Sequence, residues 1–243
     1  MRYWLVMPAA GASERFGGPA PKQYAPLAGR TVIEWALEPF LDDTRCAGAI
    51  VALAAQDRRF TEVAARLRAR GQGAAPLPGV MTCAGGAQRC LSVRSALAAL
   101  AAHAADDDWV LVHDAARPCL ERADLERLIA ALAAHPLGGL LAAPVADTLK
   151  RAESGPGAAL QAAQTVDRTA LWRALTPQMF RYRPLCAALD AAQAAGRFPS
   201  DEAQSLEWLG EQPLLIAGNP ANLKITSVTE LAVAAAILQA RRT

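Results

Sequence analysis

The chain has 243 residues, enough for one large α/β domain with a full hydrophobic core. Its 25 basic and 23 acidic residues leave a formal net charge of +2, which is too balanced for a protein whose affinity depends on covering a nucleic-acid backbone. The hydrophobic fraction is 53%, but alanine supplies much of it, and the mean hydropathy of +0.13 is typical of a globular protein. We therefore expect a single domain over residues 1–243 and no nucleic-acid partner.

Two apolar segments resemble targeting or membrane sequences at first sight. The run Tyr3–Met7 is too short for a signal peptide. The uncharged stretch Leu128–Ala146 is interrupted by His135-Pro136-Leu137-Gly138-Gly139, which is the pattern of a helix end followed by a turn. The five cysteines form no C-x-x-C pair, so neither a disulfide framework nor a zinc site is predicted. We expect no membrane span and a cytoplasmic location.

Apolar runs alternate with segments of helical periodicity along most of the chain. In chain order the sequence predicts a strand over Tyr3–Met7, a Gly-rich loop over Pro8–Pro21, a helix over Thr31–Phe40, a strand over Ala49–Ala54, a helix over Arg58–Arg70, a strand over Val80–Cys83, a helix over Gln88–Ala102, a strand over Trp109–Val112, a helix over Ala123–Ala134, a strand over Leu140–Val145, helices over Arg181–Ala194 and Asp201–Leu209, a strand over Pro213–Ala217 and a helix over Thr229–Arg241. This alternation predicts a Rossmann-like α/β fold, a mostly parallel sheet flanked by helices, with its ligand site at the carboxyl ends of the strands.

The alternation breaks between Asp147 and Arg168. Two short segments, Thr148–Arg151 and Gln164–Asp167, flank the turn signal Ser154-Gly155-Pro156-Gly157, which predicts a protruding β-hairpin arm over residues 147–168. An isolated two-stranded hairpin is marginally stable in water, so we expect the arm to pack against a second subunit.

The loop after the first strand is the first candidate for chemistry. Its sequence is Pro8-Ala9-Ala10-Gly11-Ala12-Ser13-Glu14-Arg15-Phe16-Gly17-Gly18. It matches neither G-x-G-x-x-G nor the P-loop pattern, but its small residues allow a phosphate or a base to approach the backbone closely. Arg15 and Lys22 supply the positive charge that a triphosphate needs. The alternative is an ordinary surface turn with two solvated charges.

Lysine usage bears on this choice, because lysine occurs only at positions 22, 150 and 224 in a chain that otherwise uses arginine. A lysine kept against such a bias indicates a place where a compact ammonium is needed, which we infer for Lys22 and Lys224. Retention by chance is the alternative for both, and it is the favoured interpretation for Lys150 on the predicted arm.

The second candidate is His113-Asp114-Ala115-Ala116-Arg117-Pro118, directly after the strand Trp109–Val112. A carboxylate at such a strand end is desolvated unless it is paired. A Mg²⁺ ion bridging Asp114 to phosphate oxygens would pair it, and an internal ion pair with Arg117 is the alternative. We expect His113 to pack or to orient the loop and not to act as a base.

Together these segments resemble the 2-C-methyl-D-erythritol 4-phosphate cytidylyltransferase family. The resemblance rests on the Pro8–Tyr24 loop, the Gly85-Gly86-Ala87-Gln88-Arg89-Cys90-Leu91-Ser92-Val93 turn, the His113–Pro118 segment, Ala143–Thr148, Thr165-Val166-Asp167-Arg168, Ala174-Leu175-Thr176-Pro177-Gln178, Asp201-Glu202-Ala203 and Asn222-Leu223-Lys224-Ile225-Thr226. These blocks follow the order of the family and span essentially the whole chain.

The resemblance implies transfer of CMP from CTP to 2-C-methyl-D-erythritol 4-phosphate, with release of pyrophosphate and no covalent enzyme intermediate. By similarity, Arg15 and Lys22 stabilise the transition state and Asp114 holds Mg²⁺ on the triphosphate. The remaining assignments by similarity are nucleotide contacts from the backbone of Ala9, Ala10 and Gly11, cytosine contacts from Gly86 and Ser92, and acceptor contacts from Arg117, Thr148, Arg168, Thr176 and Lys224. In this family the arm reaches across to the partner subunit of a homodimer.

The sequence departs from the family pattern at Ser13, where a second glycine is common, and at Ala87, where an acidic residue can follow the glycine pair. Neither position carries a charge credited with catalysis, although Ala87 offers the base no polar side chain. The alternatives are a cytidylyltransferase for another polyol phosphate such as ribitol 5-phosphate, a uridylyl or guanylyl transferase, a nicotinamide-binding dehydrogenase and a binding module without activity. The sequence lacks the G-x-G-x-x-G fingerprint that a nicotinamide-binding dehydrogenase would carry.

Overall fold

The computed structural model describes residues 1–11, 16–17, 20–70, 78–154 and 159–241. The strands in these ranges are β1 Tyr3–Pro8, β2 Pro26–Leu27, β3 Arg30–Thr31, β4 Cys46–Leu53, β5 Val80–Ala84, β6 Trp109–Val112, β7 Gly138–Pro144, β8 Leu149–Ser154, β9 Leu160–Val166, β10 Trp172–Arg181 and β11 Leu214–Ala217. The α-helices are α1 Val32–Leu41, α2 Phe60–Arg70, α3 Arg89–Leu100, α4 Arg122–Leu132, α5 Tyr182–Ala194, α6 Glu202–Glu207 and α7 Val228–Ala240, and a short 3-10 helix covers Lys22–Tyr24. Most predicted elements are confirmed with ends shifted by a few residues.

A seven-stranded sheet forms the centre of the molecule in the order β5-β4-β1-β6-β10-β7-β11. Strands β5, β4, β1 and β6 are parallel to one another, and β7 is parallel to β11. Strand β10 lies between β6 and β7 and is antiparallel to both. The prediction of a mostly parallel sheet flanked by helices is therefore confirmed.

Both faces of the sheet are buried along β1, β4, β6 and β7, which explains the continuous apolar runs of these strands. Along β1, Leu5 and Met7 pack in one layer with α1, α2 and α4, whereas Val6 packs in the other layer with α3, α5 and α6. Neighbouring residues of a strand point to opposite faces, so a wholly apolar strand can serve two helical layers at once.

The sequence analysis missed strand β10, although it lies between β6 and β7 in the middle of the sheet. Proline is rare in central strands because it cannot donate to the ladder, and this segment contains Pro177. In the structure the pairing of β10 with β7 is interrupted between Ala174 and Gln178, where the Thr176–Pro177 peptide is cis. The proline is accommodated at that interruption.

The predicted hairpin arm is present as the antiparallel pair β8 and β9. Nearly all of its residues are exposed, and Leu160 keeps 79% of its surface accessible. Residues 155–158, which contain most of the predicted turn, lie outside the described residues. The arm thus extends away from the domain without apolar packing on its described residues.

No helix within the described ranges is long and apolar enough to cross a membrane. All five cysteines are free thiols, in agreement with the absence of a disulfide framework.

Candidate active site

Three loops meet at one edge of the sheet because they follow three parallel strands. They begin at Ala9 after β1, at Gly85 after β5 and at His113 after β6. They surround an open cavity of about 570 Å³. Among the described residues, its lining consists of Pro8, Ala9, Ala10, Gly11, Phe16, Lys22, Gln23, Gly86, Ala87, Gln88, Arg89, Ser92, Asp114, Ala115, Ala116, Lys224 and Thr226. Eight of the residues predicted for the site are among them, namely Ala9, Ala10, Gly11, Lys22, Gly86, Ser92, Asp114 and Lys224.

Gln23 anchors the first loop, which follows β1, through two hydrogen bonds to its backbone. Its buried side-chain amide donates to the carbonyl oxygen of Ala9 at 2.8 Å and to that of Gly11 at 3.4 Å. Because Lys22 precedes Gln23 in the same short helix, this anchoring also places the lysine beside the loop on the cavity wall. Arg15, the second predicted catalytic cation, lies outside the described residues.

The second loop contacts the first through a glycine. A Cβ atom added to Gly85 would lie 2.4 Å from Cβ of Ala10 and 3.3 Å from the carbonyl oxygen of Leu53, so a larger residue would force the loops apart. The hydroxyl of Ser92, one turn into α3, accepts from the backbone N–H of Gly86 at 3.1 Å. Ser92 therefore shapes the Gly-rich turn at the start of α3.

The third loop brings a buried carboxylate, Asp114, to the cavity among three cations. Its Oδ1 accepts from Arg89 Nε at 2.7 Å, and its Oδ2 lies 2.8 Å from Lys224 Nζ and 3.6 Å from Arg117 Nε. Burial by itself raises the pKa of Asp114, but the charges of Arg89, Lys224 and Arg117 outweigh it and hold that pKa well below its ordinary value. Asp114 is therefore a carboxylate at neutral pH, and the cationic end of Lys224 is fixed beside it.

His113 lies beneath this loop and is completely buried. Its Nε2 donates to the carbonyl oxygen of Arg117 at 3.0 Å, so its Nδ1 accepts from the hydroxyl of Thr176, also at 3.0 Å. Burial lowers the pKa of His113 to about 4, so the ring is neutral at pH 7 and both of its nitrogens are occupied. The expectation that His113 orients the loop agrees with this geometry.

Two residues predicted to bind the acceptor, Arg117 and Thr176, are buried and absent from the cavity lining. Arg117 donates to the carbonyl oxygens of Asn222 at 2.7 Å and Ala174 at 3.4 Å, and burial lowers its pKa. The Thr176 hydroxyl also accepts from the N–H of Asp114 at 3.1 Å. In this structure both residues hold the loop in shape, and their contact with the acceptor stays a prediction.

The other two predicted acceptor ligands, Thr148 and Arg168, lie at the two ends of the arm. Both are exposed, and neither lines the cavity. Arg168 donates to the carbonyl oxygen of Ala146 across the base of the arm. A single chain therefore does not bring these two residues to the site.

The donor set at the cavity can be compared with the requirements of Mg²⁺. No cluster of three or more potential metal ligands occurs among the described side chains, and Asp114 is the one carboxylate in the described lining. Magnesium typically needs only one or two carboxylates when substrate phosphates supply other ligands, so a single carboxylate fits such an ion. Lys224, which now contacts Oδ2 of Asp114 and is part-exposed, would have to move aside.

The sequence analysis assigned no role to three residues that the structure places at the site. Gln23 anchors the first loop, Arg89 binds Asp114, and Glu202 binds Arg89 from the buried side. All three occur in blocks that carried the resemblance, but Arg89 and Glu202 have partners in other blocks. Only the folded chain shows which atoms they contact.

The fold and the cavity are typical of α/β proteins that bind a nucleotide at the carboxyl edge of a parallel sheet. The family model of 2-C-methyl-D-erythritol 4-phosphate cytidylyltransferase matches residues 3–240. The chain is 50% identical over 242 residues to the protein of that name from Halorhodospira halophila, covering 99% of this chain and 96% of the relative. It is 48% identical to the one from Ectopseudomonas mendocina, covering 95% and 93%.

Solved structures give the same result. A crystal structure of a 4-diphosphocytidyl-2C-methyl-D-erythritol synthase superimposes with a TM-score of 0.81 at 36% identity, over 98% of this chain and 99% of the other. The 2-C-methyl-D-erythritol 4-phosphate cytidylyltransferase from Thermus thermophilus superimposes with a TM-score of 0.77 at 30% identity, over 98% and 100%. The chain belongs to the 2-C-methyl-D-erythritol 4-phosphate cytidylyltransferase family.

Proposed function

We propose that the chain transfers the cytidylyl group of CTP to 2-C-methyl-D-erythritol 4-phosphate, releasing pyrophosphate. The observation that carries the proposal is the cavity at the carboxyl edge of the sheet, where a loop of small residues, two lysines and one carboxylate converge in a member of this family. The product, 4-diphosphocytidyl-2-C-methyl-D-erythritol, is a precursor in non-mevalonate isoprenoid synthesis.

The reaction needs no general base, because the acceptor phosphate is already an oxyanion. One acceptor oxygen forms a bond to the α-phosphorus while the bond to the pyrophosphate oxygen breaks. The protein must bring two anions together and neutralise the charge that develops at the α-phosphate. The neutral, doubly hydrogen-bonded state of His113 fits a mechanism without a histidine base.

Lysines supply positive charge on two sides of the cavity, in addition to Arg89, which is paired with carboxylates. Lys22 lies beside the first loop and Lys224 beside Asp114, and Arg15 joins them in our proposal by similarity. We assign Lys22 and Arg15 to the transition state and Lys224 to the acceptor phosphate. The backbone of Ala9-Ala10-Gly11 is assigned to the nucleotide.

Asp114 is the residue that would hold Mg²⁺. When bound, the ion supplies Lewis-acid stabilisation of the triphosphate. Lys224, on leaving Oδ2 of Asp114, has the reach to pair with a phosphate oxygen in its place. The ion pair seen here keeps the lysine at the site before substrate arrives.

A homodimer would complete the acceptor site through the arm. In support, β8 and β9 are exposed on both sides and the arm carries Thr148 and Arg168 outside the cavity of their own chain. In a dimer with exchanged arms, these residues reach the partner's cavity. The free thiols are consistent with the cytoplasmic location that we propose.

The test is an assay of pyrophosphate release with CTP and the acceptor, together with the mass of the organic product. We expect release only when both substrates are present and a product mass equal to acceptor plus CMP. UTP, GTP and ribitol 5-phosphate serve as matched alternatives. Preference for any of these over CTP or the methylerythritol acceptor contradicts the proposed specificity, and release without any acceptor contradicts the transfer.

A further inference from the structure

Arg89 connects two carboxylates that belong to distant segments of the chain. As the first residue of α3, it directs Nε to Oδ1 of Asp114 at 2.7 Å. Its two terminal nitrogens grip Glu202, the first residue of α6, with Nη1 at 2.7 Å from Oε1 and Nη2 at 3.1 Å from Oε2. The chain of contacts therefore runs from Glu202 through Arg89 to Asp114, and from there to Lys224.

Glu202 is fully buried and does not line the cavity. A buried carboxylate is costly unless a cation and hydrogen bonds compensate it, and burial raises the pKa of Glu202 even with Arg89 beside it. Within the described residues, Arg89 is the one cation that forms an ion pair with it. Stability alone does not account for this arrangement, because apolar residues can replace a buried ion pair at little cost.

The geometry of the guanidinium indicates what the pair does. A guanidinium fork can bind one carboxylate with two parallel hydrogen bonds, and here Glu202 takes that position. Arg89 therefore contacts Asp114 only through its Nε, which binds Oδ1. The other oxygen of Asp114, Oδ2, remains directed to Lys224 at 2.8 Å. Without Glu202, the fork of Arg89 would be able to turn and bind both oxygens of Asp114.

We propose that Glu202 is a positioning residue for the reaction, because its grip on Arg89 keeps one oxygen of Asp114 available to Lys224 and to the cavity. The inference rests on the proposed function for its kinetic consequence but not for its structural one. It also gives a role to the Asp201-Glu202-Ala203 block, whose Asp201 caps α6 by accepting from the N–H of Gln204 at 3.0 Å.

The principal test is Glu202→Gln, which preserves size but replaces one of the two acceptor oxygens by a donor NH2 group, so the two parallel hydrogen bonds from Arg89 cannot both form. We expect kcat to fall roughly 10- to 100-fold, the range seen when a residue that orients a ligand-binding group is lost. The KM for CTP should stay within about threefold, because the loops that contact the nucleotide are unchanged. A kcat within about threefold of the parent overturns the proposal. A fall in kcat/KM that comes only from a higher KM for CTP overturns it as well.

The matched control is Glu34→Gln. Glu34 is also a buried glutamate gripped by an arginine fork, with Arg66 Nε at 2.8 Å and Nη2 at 3.1 Å, but it lies on α1 away from the cavity. We expect this variant to lose thermal stability and to keep kcat. If Glu34→Gln lowers kcat as much as Glu202→Gln does, loss of a buried pair explains the effect and the positioning role is refuted.

A double variant separates positioning from folding in case Glu202→Gln does not fold. Arg89→Met with Glu202→Met removes the buried Glu202 carboxylate together with its cation, while Asp114 keeps Lys224 and Arg117, so we expect the variant to fold with a lower Tm than the parent. Its kcat should still fall by the same factor, because Asp114 has lost the arginine that orients it. A folded double variant with the turnover of the parent overturns the proposal.

A crystal structure of the Glu202→Gln protein tests the inference without any turnover. We expect Arg89 to contact both oxygens of Asp114 and Lys224 Nζ to lie beyond about 4 Å from Oδ2, the limit of an ion pair. Unchanged contacts at Asp114 refute the inference. If the parent protein makes no product from CTP and the acceptor, the proposed function fails separately, and this structure still decides the role of Glu202.

Discussion

The buried, neutral His113 makes the stability of the protein depend on pH in a direction that can be calculated. Its pKa is about 4 in the folded chain, against 6.5 for a solvated imidazole. Between these values the unfolded chain binds a proton that the folded chain does not, so stability is fully present above the unfolded pKa and is lost as pH falls. From about pH 7.5 to about pH 5 the linkage relation gives a loss of about 2 kcal/mol from this one residue.

The assay is urea unfolding of the parent and of His113→Gln across this pH range, with the free energy of unfolding plotted against pH. Glutamine does not titrate, and its amide can donate to the Arg117 carbonyl as Nε2 does. We expect the two curves to converge by about 2 kcal/mol as pH falls to about 5. Groups common to both proteins, including Glu202 and the other histidines, cancel in the difference. Parallel curves would refute the buried neutral imidazole and the hydrogen-bond assignment built on it.

Four further outcomes follow from the site. Lys22→Ala should lower kcat by roughly two to three orders of magnitude, whereas Lys150→Ala on the exposed arm should not, and equal turnover of the two purified variants would remove Lys22 from the mechanism. Gly85→Ala should weaken CTP binding measured by calorimetry, since its new Cβ would lie 2.4 Å from Cβ of Ala10. An unchanged Kd for CTP would contradict this, because it would mean that the two loops can move apart without affecting the nucleotide site. Mixing Arg168→Ala and Lys22→Ala subunits should restore about a quarter of the parent activity if arms are exchanged across a two-fold axis, and no recovery after confirmed subunit exchange would place Arg168 in its own chain's site. EDTA should abolish turnover and added Mg²⁺ should restore it; full activity in metal-free buffer would exclude the ion.

Local sequence patterns decided the elements that depend on short-range information. Apolar runs predicted β1, β4, β6 and β7, because a strand buried on both faces is apolar at every position. Helical periodicity predicted most helices, because a helix buried on one face repeats its apolar residues every three to four positions. The same patterns located the loops at Ala9, Gly85 and His113 at strand ends. A parallel arrangement then requires that such ends meet, and eight of the predicted site residues, five of them assigned by the family resemblance, line one cavity.

Strand β10 shows where local information fails. It contains Pro177, a residue type that is rare in central strands, yet it occupies the middle of the sheet, where pairing with two neighbours outweighs one missing donor. Arg117 and Thr176 show the same limit within the site. Sequence identified them as polar residues of motif segments, but the direction of each side chain, toward buried carbonyls and His113, depends on contacts with Asn222, Ala174 and Asp114.

The sequence by itself determined the α/β class, the cavity edge, the protruding arm and the family resemblance, because each of these leaves a signal in adjacent residues or in the order of motifs. Only the tertiary structure decided that Asp114 is shared by three cations and that Glu202 reaches it through Arg89. Arg89 and Glu202 are 113 positions apart, and no periodicity or spacing links them. Pairing of buried charges is governed by which groups fold into the same desolvated space, and that is a property of the packed chain.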